Sequence, residues 1–214
     1  MNVIFGSAGF AKEVDWYLIE SNLMQQKHYA TDYFVGRDFV GEVINGVPVI
    51  SDEAFFKWAS EKPEITVYVA VGSPLIRKKI VEQLKGFSNI KFPVFIDPKL
   101  DFDKRPGKVS VDEGSIICPR IYLTTDTHIG KFTHINLGST IGHDTQIGDF
   151  CTISPGCNIS GNVVIGNNVF IGTNATLVEK IQIPDGTIIG AGCVVTKSIT
   201  EPGTYVGIPA KKIK

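Results

Sequence analysis

From Val111 to Val195 an aliphatic residue returns at every sixth position: Val111, Ile117, Leu123, Ile129, Ile135, Ile141, Ile147, Ile153, Ile159, Ile165, Ile171, Leu177, Ile183, Ile189 and Val195. With aliphatic residues at roughly one position in four, fifteen hits in register arise by chance on the order of once in a billion. A mostly small or β-branched residue stands two positions earlier, as at Ser115, Thr133, Cys151, Val169 and Cys193. Gly often follows the aliphatic residue, as at Gly130, Gly142, Gly148, Gly166, Gly172 and Gly190. A period of six fits neither an α-helix nor a flat strand. It predicts a hexapeptide parallel β-helix, in which each hexad gives one strand and one corner and three hexads close a triangular coil. Fifteen hexads make five coils, stacked about 4.8 Å apart. The aliphatic residues point inward, and glycine relieves corners that need unusual backbone angles. In this register Ile165 is buried between Ile147 and Ile183, while Asn167 sits at a corner that should tolerate Ala.

The first hundred residues follow another pattern. Asn2–Phe5 reads as a short buried strand, followed by the turn Gly6-Ser-Ala-Gly9 and an amphipathic helix through about Glu20. Tyr29–Val35 reads as a second strand, and Val43-Ile-Asn-Gly-Val47 carries a hairpin signal. Asp52–Ser60 reads as a helix with an acidic start. Ile65–Val71 is a continuous apolar strand, after which Gly72-Ser73-Pro74 opens a helix ending near Lys85; Phe92–Ile96 is the last strand. Strand alternating with helix predicts a small parallel sheet. The expected organisation is a Rossmann-like α/β domain over residues 1–98, a linker over 99–108 and the β-helix with a C-terminal tail over 109–214.

Composition narrows the functional classes. The 214 residues carry 21 basic and 22 acidic side chains, so no basic face for nucleic acid is implied. No apolar run reaches the roughly 18 residues of a spanning helix, and no signal peptide opens the chain. A cytoplasmic protein with no membrane partner is expected. All 4 cysteines (Cys118, Cys151, Cys157, Cys193) fall in the ladder, with spacings unlike a zinc site, and read as small core residues.

Two strand-to-helix turns carry possible chemistry. Gly6, Ser7 and Gly9 in the first, and Gly72 and Ser73 in the second, lie where a parallel sheet presents helix N-termini to an anion. Gly6-x-x-Gly9 lacks a third glycine, and Phe34-Val35-Gly36-Arg37 lacks the acidic residue that would hold an adenosine ribose. This suits a nucleotide other than NAD; glycine serving only tight turns is the competing reading. In the ladder, Ile141-Gly-His-Asp144 sets His143 beside Asp144 at a corner, and imidazole is suited to taking a proton near neutral pH. Residues stack only at multiples of eighteen, so His128, His134 and His143 cannot line one edge of one chain; a metal site within one subunit is disfavoured, while one shared between subunits stays open. Gly161, stacked above His143, leaves room beside the imidazole.

These residues together resemble the sialic acid O-acetyltransferase and bacillosamine-pathway sugar N-acetyltransferase family. The resemblance rests on Val3–Gly9, Ala70-Val-Gly-Ser73, Ile76-Arg-Lys-Lys79, Phe132–Leu137, Ile141–Asp144, Ile153-Ser-Pro-Gly156, Ile159-Ser-Gly161, Gly190-Ala-Gly192 and Val206–Lys211. It implies a left-handed coil, acetyl-CoA as donor, and a homotrimer with sites between neighbouring chains. By the same resemblance His143 is the general base, oriented by Asp144 where the bacillosamine enzymes have Glu. Asn136 and His134 would contact substrate. The Gly161 N–H would meet the acetyl carbonyl, and Thr152, Thr173 and Ala191 would line the acetyl-CoA site. Thr152 stands where some relatives have a second histidine, and Gly36-Arg37-Asp38 where many have paired aspartates. The implied activity is N-acetylation of a nucleotide-linked amino sugar, a UDP- or dTDP-4-amino-4,6-dideoxyhexose, with the nucleotide held by the N-terminal turns; the sequence leaves uridine, thymidine and guanosine open. The alternatives are an O-acetyltransferase acting on a sugar hydroxyl, as in a sialic acid, and a non-catalytic sugar-nucleotide-binding protein.

Overall fold

A computed structural model describes residues 1–214 as two compact units, residues 1–72 with 76–93 and residues 73–75 with 94–214. No helix is long and apolar enough to cross a membrane.

The first unit contains β1 (Asn2–Phe5), α1 (Gly9–Met24), β2 (Tyr33–Val35), β3 (Val43–Ile44), β4 (Val47–Ile50), α2 (Asp52–Trp58), β5 (Ile65–Val69), α3 (Pro74–Leu84, apart from its first two residues) and β6 (Ile90–Lys91). The sheet order is β3-β4-β2-β1-β5-β6, parallel except for the β3–β4 hairpin. Val3, Ile4 and Phe5 of the central strand are buried, as are Ile65, Val67 and Val69. The hairpin turns on Asn45 and Gly46, both at positive φ, as its sequence requires.

Three boundaries differ from the sequence reading. Helix α1 runs on to Met24 because its stop is Gln26, at φ 54, with Lys27 N donating to Asn22 O at 2.8 Å. Gln thus fills the place that Gly usually marks. The second strand begins only at Tyr33; upstream, the Thr31 hydroxyl turns away to donate to buried Asp15 at 2.5 Å. The expected strand Phe92–Ile96 is two strands in two sheets. Ile90–Lys91 pairs with Ile65–Thr66, whereas Phe95–Ile96 (β7) pairs with Ile116–Ile117 of the ladder. Pro93 between them has no N–H to continue a ladder.

In the second unit every hexad is a two- or three-residue strand ending on its aliphatic residue, and strands pair with those eighteen positions away. Three walls result. The first contains Ile116–Ile117, His134–Ile135, Thr152–Ile153, Phe170–Ile171 and Ile188–Ile189; the second runs from Tyr122–Leu123 through Thr140–Ile141 to Val194–Val195; the third runs from Val109–Val111 through Gln146–Ile147 to Gln182–Ile183. From Ile117 to Val195 the aliphatic series is at most 4 % exposed. The four cysteines form no disulfide and are buried, with Cys151 and Cys157 donating to the Gly166 and Gly172 carbonyls of the next coil.

The corners correct the expected role of glycine. Positive φ recurs three residues after the aliphatic position, from Gly114 and Arg120 to Gly186 and Gly192, on nine non-glycine residues that include Phe132, Asp144 and Lys180. The glycines directly after the aliphatic residue are not at positive φ. They are required by coil spacing, since a Cβ on Gly172 would lie 2.6 Å from Ala191 N.

Ile165 pairs between Ile147 and Ile183 and is 2 % exposed. Ile165→Ala should therefore cost about 2–5 kcal/mol in urea unfolding. Asn167 differs from its expected indifference, because its Oδ1 accepts from Asp149 N at 2.8 Å and its amide meets Asp185 at 3.1 Å. Asn167→Ala should cost about 1 kcal/mol. Equal losses at the two positions would refute the inward–outward assignment.

Candidate active site

Asp144 is at φ 58, a corner conformation that Asp tolerates better than most residues. The backbone on either side is pinned: Asp144 N donates to Thr125 O at 3.1 Å, and the His143 carbonyl accepts from Asn162 N at 2.7 Å. This turn brings Asp144 Oδ2 to 2.7 Å from His143 Nδ1. Both side chains are more than half exposed, so the pair contributes little to stability. What it fixes is orientation. With the proton on Nδ1 directed at the carboxylate, Nε2 carries the free lone pair.

That nitrogen faces Gly161. A Cβ on Gly161 would lie 2.6 Å from His143 Nε2 and 2.7 Å from Cε1, so only glycine leaves the imidazole this position. The Gly161 N–H has no hydrogen-bond partner. At the next corner the equivalent N–H groups of Lys131, Asp149 and Asn167 are each taken at 2.8 Å by the side chain eighteen residues on. Above Gly161 that residue is Glu179, whose carboxylate lies 3.7 Å from Lys180 Nζ instead. An oriented base and a free backbone donor therefore lie side by side, an arrangement suited to removing a proton from a nucleophile and holding a developing oxyanion.

The other candidates fall elsewhere on the prism. Thr173 and Ala191 are exposed on consecutive coils at the corner between the first and second walls, where Gly192 N donates to Thr173 O at 2.8 Å. Asn136 opens the same corner two coils below Thr173, with its amide donating to Ile153 O at 2.9 Å. His143, Asp144 and Gly161 occupy the corner between the second and third walls. A hexad spans at most about 20 Å, and one such hexad separates the two groups on a single chain. His134 and Thr152 are in register on the first wall and almost fully buried, at 0 % and 4 % exposed. They belong to neither exposed corner.

In the first unit a cavity of about 530 Å³ is lined by Gly6, Ser7, Ala8 and Gly72, but not by Gly9 or Ser73. Gly6, at φ 128, is obligatory because a Cβ would sit 2.6 Å from Ala70 O. Gly9 and Gly72 have no such reason; a Cβ there meets nothing. Ala8 caps α1 without a side-chain hydrogen bond. Sequence reasoning gave no site role to Arg37, Asp38, Asp52 and Lys79, although three of them fell within its motifs; all four line the same cavity. The available signal was the place of Arg37-Asp38 directly after β2, where open parallel sheets bind ligands.

Comparison with known proteins agrees with both units. Residues 3–84 match the PglD N-terminal domain family, and residues 162–197 match the bacterial transferase hexapeptide (six repeats) family. The chain is 34% identical over 152 residues to a GDP-perosamine N-acetyltransferase of Escherichia coli O157:H7; the match covers 65% of this chain and 61% of that protein. The acetyltransferase domain of PglB from Neisseria gonorrhoeae FA1090, solved in complex with acetyl coenzyme A, superposes with a TM-score of 0.85 at 28% identity, over 99% of this chain and 98% of that one. WeeI from Acinetobacter baumannii AYE does so with a TM-score of 0.79 at 30% identity, again over 99% and 98%. The coil is left-handed, as the family resemblance implied and against the usual hand of parallel crossovers. The chain belongs to the sialic acid O-acetyltransferase and bacillosamine-pathway sugar N-acetyltransferase family of hexapeptide-repeat acyltransferases.

Proposed function

We propose that this protein transfers the acetyl group of acetyl-CoA to the amino group of a nucleotide-linked amino sugar, a 4-amino-4,6-dideoxyhexose carried on UDP, dTDP or GDP. The observation that carries the reading is His143, oriented at 2.7 Å by Asp144, with Nε2 facing the open Gly161. As the sugar nitrogen attacks the thioester carbonyl, one of its protons passes to His143 Nε2. The Gly161 N–H holds the oxyanion that develops, and its collapse expels the thiolate of CoA. Asn136 positions the sugar, and Thr173 and Ala191 accept the pantetheine arm. Their exposed corner of small side chains, with Gly172 keeping the coils close, suits a narrow chain-like ligand.

The N-terminal region, residues 1–98, holds the nucleotide, with its diphosphate near Gly6, Ser7 and the N-terminus of α1. Residues 109–214 carry the transfer, in a homotrimer working in the cytoplasm. His134 and Thr152 take no part in this scheme because burial leaves them no surface for a ligand. A GDP-sugar enzyme among the relatives supports guanosine, one of the three nucleotides the sequence leaves open.

The experiment offers acetyl-CoA with GDP-, UDP- and dTDP-linked 4-amino sugars and their 4-hydroxy counterparts, following thiol release. The buried cysteines do not confound it; burial, opposed by backbone hydrogen bonds from Ala175, Ser154 and Asn174, pushes the Cys157 thiol up to about 11. Release with at least one amino sugar and none of the hydroxy sugars is expected. Release with hydroxy sugars alone would replace N-acetylation by O-acetylation.

A further inference from the structure

A second cavity, of about 480 Å³, adjoins the first within the N-terminal unit, and Arg37, Asp52 and Gln83 line both. The first offers glycine turns and Lys79, groups suited to phosphates. The second adds Val40, Phe56 and Glu53. It thus combines apolar surface for a flat ring with an edge of one guanidinium, two carboxylates and an amide. Arg37 follows β2, and its side chain is 91% exposed. Its Nε lies 3.7 Å from Asp52 Oδ2, too far for a hydrogen bond. The guanidinium is held near the carboxylate while its donors remain available.

We infer that the second cavity reads a guanine base, with Arg37 donating to O6 and N7 and the carboxylates of Asp52 or Glu53 accepting from N1–H and the 2-amino group. This rests on the nucleotide-sugar reading above and adds the identity of the base and the residues that select it. Guanine shows two adjacent acceptors on one edge, which match the two parallel donors of a guanidinium. Its next edge shows two adjacent donors, which match a carboxylate. Uracil and thymine have O4 beside a carbon, and their single ring N–H is flanked by carbonyl oxygens that a carboxylate repels. Adenine sets an amino donor beside N7, facing the donors of Arg37.

The test is calorimetric titration of the full chain with GDP, UDP, dTDP and ADP at one salt concentration, without acetyl-CoA. GDP should bind about 5- to 150-fold more tightly than UDP, the usual worth of one good bidentate pair. Arg37→Ala should cut the GDP preference by most of that factor and leave UDP unchanged, with little risk to folding at so exposed a side chain. Arg37→Lys should not restore the preference, because a point charge lacks the fork. Equal or tighter binding of UDP or dTDP overturns the inference while leaving the nucleotide-sugar reading intact. Equal weakening of all four ligands by Arg37→Ala makes that residue a phosphate contact and also overturns it. Failure of every nucleotide to bind overturns both readings.

Discussion

His143→Ala lowers kcat by about 10² to 10⁴, the usual worth of a general base, and leaves the KM for acetyl-CoA nearly unchanged. The split between the two constants follows from geometry. His143 meets the proposed acetyl site only through Nε2, while the exposed row of Thr173 and Ala191 stands at another corner. Losing the imidazole removes the proposed proton acceptor without touching the surface proposed for the pantetheine arm. The side chain is more than half exposed, so the urea midpoint should hardly move. Gly161→Ala supplies the companion measurement. Its methyl would lie 2.6 Å from Nε2, and because the imidazole is more than half exposed, the ring gives way and leaves Asp144 rather than the coil deforming. A fall of about 10²-fold in kcat is expected from that misplacement. If His143→Ala retains activity within about threefold of the unmodified protein, His143 is not the base.

The ladder was legible because each inward position is buried on a strict period, and no other backbone geometry repeats every six residues. The left-handed corner positions were not. Arg120, Phe132, Phe150 and Lys180 occupy them, and these residue types do not announce positive φ. Tertiary spacing enforces the conformation, helped in one column by Phe132 stacking on Phe150 at 5.3 Å. The same division runs through the sites. His143 and Asp144 are neighbours in sequence, and Gly161 follows from the eighteen-residue stack, so the corner can be assembled from the ladder alone. Arg37, Asp52 and Lys79 come from the end of β2, the start of α2 and the middle of α3. Only the crossover connections of the sheet bring them together, and no spacing along the chain records that. Pro93 was visible in the sequence, but the transfer of Phe95–Ile96 to the ladder depends on a pairing edge that exists only once Ile116–Ile117 is in place.

Mixing His143→Ala chains with Ala191→Trp chains restores about a quarter of the original activity, although each parent alone is nearly inactive. The reasoning begins with the two corners. On one chain His143 and Gly161 are separated from Thr173 and Ala191 by the second wall, and a coil is convex, so neither corner is a cleft by itself. A ligand as long as acetyl-CoA needs a groove that buries most of it. In the proposed homotrimer, the His143 corner of one prism set against the Thr173–Ala191 corner of the next would make that groove, and three-fold closure would repeat it without leaving an end unused. Each site then draws its base from one chain and its groove wall from the next. In a random equimolar mixture the base is intact in half the chains and the wall in the other half, so one site in four combines two sound parts. Ala191 is exposed, so Trp fits the separate chain and blocks only the proposed groove. The measurement is thiol release after co-refolding, with mass spectrometry confirming mixed trimers. No recovery in confirmed mixed trimers places base and wall on the same chain, and a monomer fully active at nanomolar concentration rules out a shared site.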